Sequence, residues 1–166
     1  MAPPSPEPIR DQWTTPRWMV RLLEERCGGP FELDVAAAAH NAVAPMFYTR
    51  ARDALSMSSW LPVRRAFCNP PFRRLRRFIE LCVREVVTAR RIWVMGIVTL
   101  ADVSTRYWRE LEDVGAERVR FNGGRWSCEP PPGVAKSSPR AAMQAWVLRQ
   151  PMSVADAELR FRPVAA

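Results

Sequence analysis

Metal-binding and membrane signatures are missing from this chain. It has one histidine, His40, and four cysteines, Cys27, Cys68, Cys82 and Cys128, no two of which form a CxxC pair. That leaves no ligand set for structural zinc, so no metal is expected, and the scattered cysteines read as buried thiols of a reducing cytosol. The longest apolar run, Ile92 to Val98, falls far short of the roughly 20 residues that cross a bilayer. The opening MAPPSPEPIR has no apolar h-region, which argues against a signal peptide. Lysine is almost absent: of 25 basic residues all but Lys136 are arginine.

What is present suits one soluble cytosolic domain. The 166 residues are 48% hydrophobic, which excludes a wholly disordered chain. A chain of this size buries roughly 70% of its unfolded surface, enough for a core. The net charge of +8 favours an anionic partner, and arginine suits bidentate phosphate and base contacts. GC-rich codon usage gives the same arginine bias.

Residues 1–10, rich in proline, read as a disordered segment, 11–150 as one domain, and 151–166 as a tail. Thr15 can cap a helix with Pro16 at its first position; Trp18, Met19, Leu22 and Leu23 follow at helical spacing, and Cys27-Gly28-Gly29-Pro30 stops it. Phe31 to Ala36 and Ala66 to Cys68 read as short strands, Leu75 to Arg90 and Val103 to Val114 as helices, and Ala142 to Leu148 as a last strand. Ile92 to Val98, continuous and β-branched, reads as a central parallel strand. Arg118 to Phe121 and Arg125 to Cys128, flanking Asn122-Gly123-Gly124, predict a hairpin. The class is therefore α/β: a doubly wound, mainly parallel sheet ending in an antiparallel hairpin, with ligands expected at the carboxyl ends of its strands. Asp34 and Asn69 fall at two such ends.

The chemistry concentrates in Asn69-Pro70-Pro71-Phe72. An aromatic amine is a poor nucleophile because its lone pair is delocalised into the ring. An asparagine oxygen and a backbone carbonyl can each accept one of its N–H groups, favouring a tetrahedral nitrogen whose lone pair is aimed at a methyl donor. Proline offers that carbonyl from a backbone with fixed φ. The aromatic residue gives a face for an extruded base. No strong base is needed, because the nitrogen loses its proton after gaining the methyl. Taken alone, the tetrapeptide also reads as a rigid turn.

The tetrapeptide resembles the catalytic motif of methyltransferases that modify exocyclic amines of adenine or cytosine. From about Asp11 to Leu148 the chain resembles phage-type DNA adenine-N6 methyltransferases. The likeness runs through Asp11-Gln12-Trp13-Thr14-Thr15-Pro16, Phe31 to Ala37, Phe47-Tyr48-Thr49, Asp53-Ala54-Leu55, Trp60 and Phe67 to Phe72, then Thr105 to Trp108, Gly124-Arg125 and Pro131 to Arg140. It implies a Rossmann-like methyltransferase fold, with S-adenosylmethionine as donor and S-adenosylhomocysteine as product. It implies Thr15 and Pro16 near the methionine carboxylate, Asp34 and Ala36 in the first cofactor loop, and Asp53 near the ribose or adenine. Asn69 would lie between cofactor and target amine, with Pro70, Pro71 and Phe72 completing the catalytic set. The first loop, Asp34 to Ala39, carries alanines where glycines are usual, which works only if the backbone keeps φ negative.

Arg64, Arg65, Arg73, Arg74, Arg76 and Arg77 bracket the motif in sequence and, with Arg125, are expected to grip DNA phosphates; a solvated helix face is the bland alternative. Trp13, Trp18, Trp93 and Trp146 read as core. The domain leaves little room for target recognition, so specificity is expected to be short or relaxed. A monomer encoded by phage or prophage and working in the bacterial cytoplasm fits this picture. Two other classes stay open: a methyltransferase of the same fold acting on RNA or a protein amide, and an inactive DNA-binding relic.

Overall fold

The computed structural model describes residues 13–134 and 141–152. The expectations for 1–10, for Asp11 and Gln12, for Ser137 to Arg140 and for the tail beyond Met152 lie outside these residues.

Helix α1 (Arg17–Cys27) buries Met19, Val20, Leu23 and Cys27 along one stripe and ends at Gly28 in the left-handed conformation, φ 83°. Its start departs from the expectation. Pro16, not Thr15, holds the cap position, and no side chain caps the helix. Proline's fixed φ starts the helix without help, which leaves the Thr15 hydroxyl free for something else.

Strands β1 (Leu33–Asp34), β2 (Met46–Phe47), β3 (Val63–Cys68), β4 (Ile92–Leu100), β5 (Glu117–Arg118) and β6 (Met143–Arg149) form one sheet in the order β2-β1-β3-β4-β6-β5. The first four named are mutually parallel; β6 runs antiparallel to both β4 and β5. The parallel strands therefore end together at one rim, at Asp34, Phe47, Cys68 and Leu100. Side-chain alternation splits the core in two. Ala66, Cys68, Met95, Ile97, Trp146 and Leu148 face helices α2 (Leu75–Val83) and α3 (Arg106–Asp113). Phe67, Val94, Val98, Ala145 and Val147 face α1 and Phe31.

Three expectations change. The hairpin is not formed: β5 stops at Arg118, and the two arms around Asn122-Gly123 bond to the edge of β6 instead of each other, Val119 N–H to the Ala145 carbonyl (2.9 Å) and Met143 N–H to the Trp126 carbonyl (3.0 Å). The Leu75–Arg90 helix widens to a π turn over Arg84–Thr88. That turn carries Glu85 into the core, where it accepts from Arg84 Nε (3.0 Å) and Trp60 N (3.4 Å). Trp93 and Trp18 are 67% and 45% exposed rather than core, whereas Trp146 is fully buried.

Gly96 sits mid-strand in β4 beneath Phe31; a Cβ there would lie 2.8 Å from Phe31 Cζ and 3.5 Å from Leu23 Cβ. Both neighbours are buried, so the methyl has nowhere to go. Gly96→Ala is expected to cost about 1–3 kcal/mol, read as a lower urea midpoint at unchanged slope.

Candidate active site

Asp34 and Asn69 meet at the carboxyl rim because β1 and β3 are neighbours, with Asp34 opposite Phe67. Between them lies a small cavity of about 40 Å³ lined by Trp13, Thr14, Thr15, Asp34, Ala36, Asn41, Val43, Phe67 and Asn69. Four expected cofactor residues, Thr15, Asp34, Ala36 and Asn69, thus share one wall system. Pro16 stands next to it as the cap of α1. Ala36 and Asn41 also line a larger cavity of about 280 Å³, whose other walls include Tyr48, Thr49, Arg50, Asp53, Pro71, Arg73 and Arg74. The Asp34–Ala39 run keeps φ negative; Arg90 is the one non-glycine described with positive φ. The alanines therefore satisfy the condition set for replacing glycine.

Asp34 is 2% exposed. Its Oδ1 accepts from Ala36 N (3.2 Å) and its Oδ2 from Val43 N (3.2 Å). Burial raises its pKa to about 6, against the lowering pull of those two N–H groups. Asp53 lines the larger cavity but is already engaged. It caps the turn at Ala54–Ser56 through Leu55 N (3.1 Å) and pairs with Arg74.

Asn69 follows β3 directly, half-buried, with Nδ2 donating to Cys128 Sγ at 3.9 Å. With Nδ2 so engaged, Oδ1 is the free end of the amide. Burial pushes the Cys128 thiol up to about 12, so it stays protonated. Pro70 is buried and Pro71 caps the short turn Phe72–Arg74. Phe72 lines neither cavity; half-buried, it packs at the edge of the α1-side core.

Two donors around the small cavity lack partners: Trp13 Nε1 and Thr15 Oγ1 are buried without a hydrogen bond. Each such atom costs about 1–3 kcal/mol if nothing satisfies it.

The arginine set divides. Arg73 and Arg74 line the larger cavity, Arg76 pairs with Glu80 one turn along α2 (3.0 Å), and Arg77 is exposed on the same helix. Arg125 is exposed beside the Asn122-Gly123 turn. Arg64 and Arg65 do not flank the motif in space. They lie near the opposite end of β3, where Glu32 Oε2 accepts both backbone N–H groups and Arg65 Nη2 pairs with Glu32 Oε1 at 3.2 Å. At about 3.3 Å per residue, four or five residues of strand set them some 13–17 Å from Asn69.

Sequence reasoning missed Asn41, Arg50 and Cys128 as site residues and read Trp13 as core. Arg50 adjoins a segment of the resemblance and was within reach. Cys128 reaches Asn69 across 59 positions and has no local signal. Among the described residues, no group of three or more His, Cys, Asp or Glu could hold a metal ion, and no helix is long and apolar enough to cross a membrane.

A family model described as DNA N-6-adenine-methyltransferase (Dam) matches residues 4–151. A DNA N-6-adenine-methyltransferase of Escherichia phage T1 is 30% identical over 115 residues, 69% of this chain and 46% of that protein. The chain thus aligns with about half the length of that relative.

Proposed function

The chain belongs to the DNA N-6-adenine-methyltransferase (Dam) family, and on that premise we propose that it transfers a methyl group from S-adenosylmethionine to the exocyclic N6 amine of adenine in DNA. The observation that carries this reading is the convergence of Asp34, Thr15 and Asn69 on one cavity at the carboxyl rim of the sheet. It takes the fold as Rossmann-like.

The buried donors and the Asp34 carboxylate suit the charged amino-acid end of S-adenosylmethionine, and the larger cavity suits its nucleoside. When bound, that cofactor supplies an electrophilic methyl on a sulfonium. Asp34 accepts from the ammonium group, Thr15 donates to the carboxylate, Pro16 fixes Thr15 at the head of α1, and Ala36 shapes the wall between the cavities. Asp53, with Arg74 as counterion, faces the nucleoside. Asn69 Oδ1 and the Pro70 carbonyl accept the two N–H groups of the target amine, leaving its lone pair for the methyl. The surplus proton leaves to solvent afterwards. Pro71 stiffens the turn, and Phe72 offers the remaining face of its ring to the base. A base inside duplex DNA cannot reach such a site, so the adenine is flipped out. Arg73 and Arg77, exposed just after the motif, and the exposed Arg125 take phosphates, with Arg76 beside them. Arg64 and Arg65, on the far end of β3, are not part of this contact set. Specificity is short or relaxed, and the setting is phage or prophage DNA in a bacterial cytoplasm.

Cys128 enters through Asn69. Cys128→Ala removes the acceptor that holds Nδ2, lets the amide rotate, and is expected to lower kcat about fivefold, one modest hydrogen bond, at unchanged S-adenosylhomocysteine affinity. Cys128→Ser, which keeps an acceptor, restores most of it; steady-state kinetics on both variants checks this.

Offering labelled S-adenosylmethionine to DNA, RNA and protein separately tests the substrate class. Label in DNA alone supports the reading. Label in RNA or protein redirects it, and no label together with no cofactor binding marks an inactive relic.

A further inference from the structure

The orphaned indole N–H of Trp13 is the least explained atom in the site. Trp13 Nε1 and Thr15 Oγ1 are buried, lack partners and belong to residues lining the same small cavity. Thr15 is 8% exposed, so solvent gives its hydroxyl little help. Native proteins pair such atoms with protein, water or ligand. A third unpaired atom, Glu110 Oε2, belongs to α3 and not to this cavity.

The backbone holds Trp13 in place. Thr14 forms an antiparallel bridge with Glu129, Thr14 N–H to the Glu129 carbonyl at 2.9 Å and Glu129 N–H to the Thr14 carbonyl at 2.8 Å. The ring itself packs against the α1-side core. One residue past Thr15, Pro16 caps α1. The indole is therefore held in place before any ligand arrives, which lowers the entropic cost of binding.

The facing group has the opposite character. Asp34 closes β1 with each carboxylate oxygen taking one backbone N–H, and each oxygen keeps lone pairs for a further donor. Two neutral donors and one carboxylate around one cavity match a group bearing both charges, an anion for the donors and a cation for Asp34. An α-amino-acid zwitterion has that pattern. A single ordered water is the competing occupant, since about 40 Å³ holds one.

We propose that the Trp13 indole N–H donates to the carboxylate at the amino-acid end of the cofactor, making that carboxylate a recognised feature alongside the nucleoside. This rests on the cofactor reading above and adds to it a residue that the family resemblance did not assign a role.

Titration calorimetry of the full chain tests it with two probes, S-adenosylhomocysteine and 5′-methylthioadenosine, which keeps the thioether nucleoside and lacks the amino-acid group. Where the nucleoside binds too weakly to titrate, its competition against S-adenosylhomocysteine gives the same ratio. Trp13→Phe keeps a ring and deletes the N–H. The variant is expected to weaken S-adenosylhomocysteine about tenfold, the scale of one charge-assisted hydrogen bond, and to leave 5′-methylthioadenosine within about twofold. Unchanged affinity for both overturns the proposal and leaves the indole bonded to water. Equal weakening of both also overturns it, because the ring then only shapes the fold. If wild-type protein binds neither probe, the cofactor reading fails first, and this inference falls with it.

Discussion

Asn69→Ala is expected to reduce methyl transfer to DNA by at least about 10²–10³-fold, the usual loss when a positioned polar group serving the transition state is removed. Cofactor binding should largely survive, since Thr15, Asp34 and the larger cavity are untouched. The reason is geometric. Asn69 is the first residue after β3, the two prolines behind it stiffen the chain, and Cys128 holds its Nδ2. Alanine keeps the turn and the Pro70 carbonyl but loses the side-chain oxygen that receives an amine N–H. Asn69→Asp keeps acceptors and is expected to retain more activity than alanine, although its charge favours a different amine geometry. Single-turnover assays beside S-adenosylhomocysteine titrations separate chemistry from binding. An active Asn69→Ala enzyme contradicts the mechanism outright.

The second large effect is one of pH. Asp34 titrates at about 6 because it is buried. Only the ionised carboxylate attracts the cofactor's ammonium, so affinity for S-adenosylhomocysteine is expected to fall as pH drops through that value. At pH 5 the loss is about tenfold relative to pH 8, by simple titration of one group. The cofactor-free protein moves the other way. A carboxyl whose folded pKa lies above its unfolded value contributes stability that is fully present below about 4 and lost as pH rises through about 6. The melting temperature without cofactor should therefore gain a contribution from Asp34 on mild acidification while cofactor affinity declines. Asp34→Asn, which cannot ionise, is expected to bind weakly and to flatten the affinity profile; a profile unchanged by that substitution contradicts the role given to Asp34.

The legible parts of this chain were those set by local chemistry. Gly28 stops α1 because it adopts φ 83°, a conformation that costs glycine little, and the β-branched run from Ile92 became the longest strand, β4. Asn69-Pro70 after a short apolar strand placed a motif at the rim where α/β folds bind ligands. What stayed hidden depended on distant partners. The Asn122-Gly123-Gly124 turn reads as a hairpin, but its arms pair with the distant strand β6, Val119 with Ala145 and Trp126 with Met143, rather than with each other. Arg64 and Arg65 are close to Asn69 in sequence, yet an extended strand carries them to its other end, where Glu32 claims Arg65. Glu85 gave no sign of burial because helical periodicity does not foresee a π turn. Trp13 reads as an ordinary core aromatic until its N–H is seen without a partner.

The central claim is the identity of the product. Unmethylated DNA is incubated with the protein and labelled S-adenosylmethionine, digested to nucleosides, and the labelled nucleoside identified. The account predicts N6-methyladenine, absent from a parallel Asn69→Ala reaction. Label in methylcytosine, or DNA that stays unlabelled while the protein binds S-adenosylhomocysteine, would contradict it.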